Sequence, residues 1–375
     1  MTTAKTPRYV GIMVCETNGD PPFSSKPFYR RLSLIGSELG LTVFVFCPRR
    51  FDPERRRIVG YTYLREQKRW SKKTFPLPHV VYDRCFFSSG SKYALYRDAI
   101  RKLAGMANVR FLGYGLKGKW QVYQLLKKEP ALLPHLPETE QLNSIKDLSR
   151  WLTQKKEVIL KPQGGSHGKG VLLVQERENG IYTVTGRDAR NGIVGKSFRN
   201  LRSLLRWIDA FIGQRNYVMQ QFLVLRTKDG KPFDIRALVQ KNRIGEWELT
   251  GMAVRLGQPG GVTSNLHGGG RAEEVLPFLT RQFGKTHATE TIEKLRGLAM
   301  QIPGVLERYH GRLVELGIDL GVDDEGRIWI LEVNSKPGRS AFAALPDRRV
   351  RLSAIRNPIL YARYLLENAA SRSGR

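Results

Sequence analysis

Val158-Ile-Leu-Lys-Pro-Gln-Gly-Gly-Ser-His-Gly-Lys-Gly-Val171 reads as strand, lysine, glycine-rich loop and strand. The first strand delivers Lys161, and Gly164, Gly165, Gly168 and Gly170 then let the backbone approach an anion closely. Glycine takes φ > 0 without steric cost, so successive N–H groups can converge on one phosphate. The loop lacks the G-x-x-x-x-G-K-[ST] spacing of a P-loop. It also runs into a strand, where a Rossmann fingerprint opens a helix. The competing reading of this stretch alone is a plain β-hairpin with a glycine turn.

A second cluster favours the anion reading. Near the C-terminus stands Gly317-Ile-Asp-Leu-Gly-Val-Asp-Asp-Glu-Gly-Arg-Ile-Trp-Ile-Leu-Glu-Val-Asn-Ser-Lys-Pro-Gly338. Two apolar runs flank Asp323-Asp-Glu-Gly326, which predicts a hairpin. Glu332 and Asn334 are two apart and share one face of the second strand, and the hairpin brings Asp319 to the same neighbourhood. Oxygen ligands without His or Cys suit a hard cation such as Mg²⁺, bound through few carboxylates plus substrate phosphates. The alternative is that Asp319 and Glu332 are solvent-facing strand charges. A phosphate loop and a magnesium hairpin in one chain imply an Mg-ATP site.

These two motifs, in this order, resemble the ATP-grasp superfamily over roughly residues 116–340. The resemblance takes in Tyr217-Val-Met-Gln-Gln-Phe-Leu223, Phe233-Asp-Ile-Arg-Ala-Leu-Val239 and Leu331-Glu-Val-Asn334. Asp234-Ile-Arg236, Ala253-Val-Arg255 and Ser264-Asn-Leu-His-Gly-Gly-Gly270 look like glutamate-ligase-type members. The whole chain is similar to YheC/YheD-type endospore coat-associated proteins. The shared features are Val10-Gly-Ile-Met13, Val80-Val-Tyr-Asp-Arg84, Gly118-Lys-Trp120 and the loop from Lys161 to Gly170.

The resemblance implies an α/β (α+β) chain with a small N-terminal α/β pre-ATP-grasp domain at 1–115. A two-lobed ATP-grasp domain over 116–375 follows, with lobes at 116–222 and 223–340 and a basic C-terminal helix at 341–375. It implies ATP and one or two Mg²⁺ ions as cofactors. Lys161 and Lys119 become nucleotide lysines, with Lys117 the rival of Lys119. Backbone N–H groups of Gly164, Gly165, Ser166 and Gly168 cover the phosphates, with His167 a further candidate. Gln220, Gln221, Phe222 and Leu223 form the adenine hinge, with Gln standing where related proteins often carry Glu. Asp319, Glu332 and Asn334 hold the metal. Arg236 and Arg255 neutralise the γ-phosphate and acyl phosphate, and Asn265 assists. A structural pair between Asp234 and Arg236 is the alternative for that arginine. His267-Gly-Gly-Gly270 reads as a loop closing over the site, and Lys336 as a weaker substrate contact.

Composition agrees with an enzyme that builds real cores. The chain has 375 residues, of which 41% are hydrophobic. No apolar run approaches the roughly 18–20 residues of a membrane span. The start, Met1-Thr-Thr-Ala-Lys-Thr-Pro-Arg8, precedes too short an apolar stretch for a signal peptide. Cys15, Cys47 and Cys85 are odd in number, lack metal spacing and sit in or beside apolar runs, so buried free thiols and a cytoplasmic location are expected. Lys plus Arg number 63 against 34 acidic residues, a net charge of +29. Such a field attracts polyanions, an acidic peptide or polymer among them. Residues 49–73 carry ten basic and three acidic side chains, and 339–375 carry eight and two. Both also fit an ordinary solvated surface. No standard nucleic-acid module is present, so charge alone keeps that partner open.

The periodicity predicts strands at 8–15, 41–47, 80–82, 109–112, 158–161, 171–174 and 217–223. Helices are expected at Phe28–Leu39, Ser91–Leu103, Trp120–Lys128, Leu142–Leu152 and Ser197–Ile212. The basic segment 49–73 is expected as an exposed hairpin interrupting the N-terminal domain. The implied reaction is carboxylate attack on the ATP γ-phosphate, an acyl phosphate, and its capture by an amine. Two other readings stay open: a kinase acting on a hydroxyl, and a nucleotide-binding assembly protein of the spore coat.

Overall fold

The computed structural model describes residues 7–87, 90–165, 168–258 and 270–373. Three sheets organise them. The first contains β1 (Arg8–Met13), β2 (Leu41–Asp52), β3 (Arg57–Leu64), β4 (Arg69–Pro76), β5 (Val80–Asp83) and β6 (Arg110–Phe111), in the order β4-β3-β2-β1-β5-β6. Strands β2, β1, β5 and β6 run parallel, as the apolar run at 41–47 implies. Helix α1 (Lys26–Glu38) begins with Pro27 in its first turn and buries Tyr29, Leu32, Ser33 and Gly36, one face of a 3.6 period. Gly40 at φ 69° turns the chain out of it. Helix α2 (Gly90–Ala104) covers the opposite face. The basic segment is a hairpin, β3 against β4. It extends the sheet at one edge and does not interrupt it.

Helix α3 (Lys119–Leu126) leads to the second sheet. Its elements are β7 (Thr139–Leu142), α4 (Ile145–Lys155), β8 (Glu157–Pro162), β9 (Leu172–Glu176), β10 (Tyr182–Arg187), β11 (Ile193–Phe198), α5 (Leu201–Ile212) and β12 (Tyr217–Gln220). The strand order is β11-β10-β9-β8-β12-β7, antiparallel throughout. Two sequence expectations shift here. Leu142 closes β7, and α4 starts after Ser144, whose side chain forms a capping box with Asp147. Ser197 and Phe198 belong to β11, paired with Thr183 and Tyr182, and α5 starts after Asn200, which accepts from Ser203 N–H at 2.9 Å.

The third sheet has the order β15-β14-β13-β16-β17, from β13 (Phe233–Lys241), β14 (Trp247–Leu256), β15 (Arg271–Glu273), β16 (Glu315–Val322) and β17 (Ile328–Asn334). Helices α6 (Val275–Phe283) and α7 (Lys285–His310) pack with α3 on one face. The expected hairpin is present: Gly326 takes φ 76° and Asp323 accepts from Arg327 N–H at 2.8 Å. After α8 (Ser340–Ala343), the C-terminal α9 (Arg348–Ser373) is a core element despite its basic composition. Ile355, Ile359, Ala362, Leu365 and Leu366 pack with α1 on the first sheet, while Ala354 packs with Leu238 and Ala253 of the third. Among the described residues no helix is long and apolar enough to cross a membrane.

One buried carboxylate joins these parts. Glu315, 0% exposed at the start of β16, accepts from Tyr82 Oη at 2.5 Å and Arg84 Nη1 at 3.0 Å, both from the first sheet. Its other oxygen accepts from Gln240 Nε2 of β13 at 3.0 Å and from Arg339. Arg84 and Arg339 both also donate to Pro337 O, and Arg339 reaches Ala354 O of α9 at 2.7 Å. A buried carboxylate with four donors is satisfied, but removing it strands two guanidinium ions. Glu315→Ala is therefore expected to lower the unfolding free energy by about 3–5 kcal/mol in urea titration. A change under about 0.5 kcal/mol, the size of a neutral surface substitution, would show that the network does not hold the sheets together.

Candidate functional site

The site lies where the second sheet faces the third. Lys161 is on β8, opposite Val218 of β12, and Gln220 sits diagonally across on the same face. Lys161 Nζ donates to Gln220 Oε1 at 2.5 Å. Gln220 Nε2 donates in turn to Thr139 Oγ1 at 2.9 Å, and the register of β7 with β12 sets those two residues opposite each other. Thr139 thereby fixes which end of the amide meets the lysine, a role no local sequence signal announces. The strand ends at Gln220, so Gln221, Phe222 and Leu223 are irregular backbone and not the strand the apolar pattern predicts. Gln221 is anchored by its N–H to Glu138 O at 2.8 Å.

Within the glycine loop, Gly165, Gly168 and Gly170 take φ of 107°, 71° and 75°, which side chains rarely adopt. Gly164 needs no such freedom, since it is absent from the positive-φ set. Ser166 and His167 lie outside the described residues, as do Asn265 and His267. The loop rests on the start of α3. Lys119 N–H donates to Gln163 O at 3.0 Å, and a Cβ on Gly118 would come within 3.1 Å of that same oxygen. Lys119 Nζ reaches Gly165 O at 3.3 Å and Glu332 at 3.4 Å. Lys117 is exposed, so Lys119 is the lysine brought to the loop.

The facing sheet carries a row of charges set by register. Asp234 of β13 lies opposite Arg255 of β14, Arg236 of β13 opposite Asp319 of β16, and Asp319 opposite Glu332 of β17. Arg255 grips Asp234 with both prongs, at 2.6 and 2.7 Å, and adds a contact to Asp319 at 2.8 Å. Arg236 grips Asp319 at 2.5 and 3.1 Å. In place of the alternative pair of Asp234 with Arg236 stand two cross-strand forks, because residues two apart along one strand share a face but lie far apart. Arg255, 7% exposed, is spent on holding carboxylates and does not present its fork to solvent. Burial alone would raise the Asp319 carboxyl, but Arg236 and Arg255 outweigh it and hold it below the usual carboxylate range. Asn334 ends β17 beside this row, and the next residues are tied to the first sheet. Lys336 donates to Asp83 Oδ2 at 2.7 Å and Cys85 O at 2.8 Å.

A lysine-bearing glycine loop facing a carboxylate hairpin across two antiparallel sheets is the arrangement of an ATP-grasp protein. The chain belongs to the YheC/D-like ATP-grasp family, whose model matches residues 108–365. It is 30% identical over 340 residues to the endospore coat-associated protein YheC of Bacillus subtilis (strain 168), covering 89% of this chain and 91% of that one. It is 29% identical over 350 residues to YheD of the same organism, covering 93% and 76%. Among solved structures, D-cycloserine synthetase DcsG superposes with a TM-score of 0.57 at 13% identity, covering 95% of this chain and 99% of that one, a likeness of fold.

Lys161 gives a pH signature. Burial pushes its ammonium down to about 8, against the raising effect of Glu332, although the residue as a whole is only half-buried. A polyphosphate beside Lys161 favours the charged form and raises that value. Affinity for a nucleotide should then be flat below pH 8 and fall above it, by at most about tenfold per pH unit. Calorimetry at pH 8.5 in buffers of different ionisation enthalpy should show uptake of up to one proton. Lys161→Met should abolish that uptake, and uptake that persists in the variant would assign the proton elsewhere.

Proposed function

We propose that this protein is an Mg-ATP-dependent carboxylate–amine ligase that works through an acyl phosphate and releases ADP. The observation that carries the reading is the convergence of Lys161 and Lys119 with Asp319 and Glu332 from the facing sheet. We assign 1–115 as the pre-ATP-grasp domain, 116–222 and 223–340 as the two nucleotide lobes, and 341–375 as a C-terminal segment whose helix packs on the N-terminal domain and the second lobe.

In this reading Lys161 and Lys119 bind the α- and β-phosphates as point charges, and the loop at 164–168 covers them with backbone N–H groups. Lys119 leaves Glu332 as it does so. Gln221, Phe222 and Leu223, irregular backbone beyond β12, offer the adenine its hydrogen bonds. Gln220 serves as the neutral partner of Lys161, a use that explains an amide at that position.

The donor set fits a hard cation. A carboxylate accepts about four hydrogen bonds, and Asp319 uses three of those places on Arg236 and Arg255, so one remains. Glu332 is engaged by Lys119 and Asn334 adds an amide oxygen. Among the described residues no cluster of three or more His, Cys, Asp or Glu stands ready to hold a metal. Asp319, Glu332 and Asn334 therefore share the ion with nucleotide phosphates, the usual arrangement for Mg²⁺. Magnesium held by these residues would supply charge neutralisation for the nucleotide phosphates. Arg255 and Arg236 hold Asp319 ionised and oriented, and we assign Arg236 to the transferring phosphoryl group as well. The carboxylate substrate attacks the γ-phosphorus, ADP leaves, and an amine displaces phosphate from the acyl phosphate to give an amide. We assign Asn265, which lies outside the described residues, to assist at this step.

The relatives' names place them at the endospore coat. We extend that association to this protein, with synthesis in the cytoplasm and an acidic peptide or polymer as the carboxylate partner of a chain with net charge +29. Hydroxylamine captures acyl phosphates as hydroxamates and needs no knowledge of the natural amine. With ATP, Mg²⁺ and a panel of acidic peptides, hydroxamate and ADP should appear together and vanish in Lys161→Ala. AMP with pyrophosphate, or a phosphorylated hydroxyl product, would contradict the ligase assignment.

A further inference from the structure

A pair of thiols stands at the C-terminal ends of β1 and β5, outside the nucleotide site. Met13 lies opposite Asp83 in the parallel pairing, and Arg84 N–H donates to Met13 O at 2.8 Å, so the register continues past both strands. Cys15 and Cys85 each follow that pair by two residues, which puts them side by side on one face of the sheet. Both pack into the same core as Met13, Phe46 and Leu103. Adjacent strands lie about 4.7–4.9 Å apart, within the Cα separations that a disulfide spans. Access to the pair is one-sided: Cys85 is 2% exposed, whereas Cys15 is half-buried, more open than the sequence pattern predicts. The neighbouring Cys85 thiol, the Phe86 backbone and the Lys336 ammonium outweigh burial and favour a Cys15 thiolate, the form that reacts. Cys47, by contrast, is buried, and burial pushes its thiol up.

We propose that Cys15 and Cys85 are a redox modification site, which a two-electron oxidant of the peroxide class converts to an intramolecular disulfide. The Cys15 thiolate attacks one peroxide oxygen, the O–O bond breaks, and the departing hydroxide takes a proton to leave as water. This gives a sulfenic acid on Cys15. The Cys85 sulfur then attacks the Cys15 sulfur, the S–O bond breaks, and the thiol proton of Cys85 leaves with the hydroxide as a second water. Two thiols and one peroxide yield one disulfide and two waters. The bridge clamps the segment after β1 to the segment after β5. Its near neighbour is Lys336, which holds Cys85 O and stands two residues beyond Asn334. Oxidation state is thus placed within reach of the proposed metal edge.

The test uses the full chain treated with hydrogen peroxide and quenched by acid alkylation. Free thiols per denatured chain should fall from three to one, with the mass of two hydrogens lost, and dithiothreitol should restore them. A peptide map of the wild-type protein should show the Cys15 and Cys85 peptides joined and Cys47 alkylated. In Cys85→Ser, dimedone should label Cys15. In Cys15→Ser, no disulfide and no label should form. The proposal is overturned if all three thiols survive peroxide that oxidises glutathione, if Cys47 enters the bridge, or if Cys15→Ser oxidises like wild type. The peptide map of the wild type does not depend on either variant folding.

Discussion

The buried carboxylate of Glu315 sets the geometry on which the site depends. It stands at the start of β16, the strand that also carries Asp319, and its donors come from β5, β13 and the segment after β17. A charge with no exposure is tolerable only when every acceptor position is filled, so Tyr82, Arg84, Gln240 and Arg339 have little freedom to move independently. Pro337 O accepts from both arginines, which fixes the chain three residues beyond Asn334. The end of β17 that carries Glu332 and Asn334 is therefore held against the first sheet, remote in sequence from it.

The second constraint is the charge row on the third sheet. Arg255, Asp234, Arg236, Asp319 and Glu332 sit on adjacent strands in register, and opposite charges alternate along most of the row. Forked arginine–carboxylate contacts satisfy several lone pairs at once and tolerate burial better than single-point pairs. The last carboxylate, Glu332, pairs among the described residues with Lys119, which arrives from α3 together with the glycine loop. The row is closed at its buried end and open toward the loop, a polarity suited to an anion carrying its own cation.

Much of this was legible in the sequence wherever the cause is local. Glycines at φ > 0 in the loop, the Asp323–Gly326 turn, the stop at Gly40 and the capping of α4 all follow from backbone chemistry within a few residues. Of the two lysines the sequence offered beside the loop, Lys119 is the one that reaches it. What escaped depends on distant partners. The pairing of Asp234 with Arg255 and of Arg236 with Asp319 is a matter of strand register. Thr139 acquires its role only because β7 lies beside β12. The basic C-terminal helix was legible as a helix, but the buried face of α9 becomes apparent only against α1 and two different sheets. The β11 strand is short and largely exposed, so no apolar alternation marks it off from α5.

The central claim is that Lys161 and Glu332, on opposing sheets, act on one magnesium nucleotide. Calorimetric titration of ATP into the wild-type protein, with and without Mg²⁺, tests it without any knowledge of the acceptor. Lys161→Ala and Glu332→Ala belong in the same experiment. The account predicts saturable one-site binding, weakened by Lys161→Ala, and a magnesium dependence that Glu332→Ala removes. Absence of binding by the folded wild-type chain, or binding indifferent to both substitutions, would contradict it.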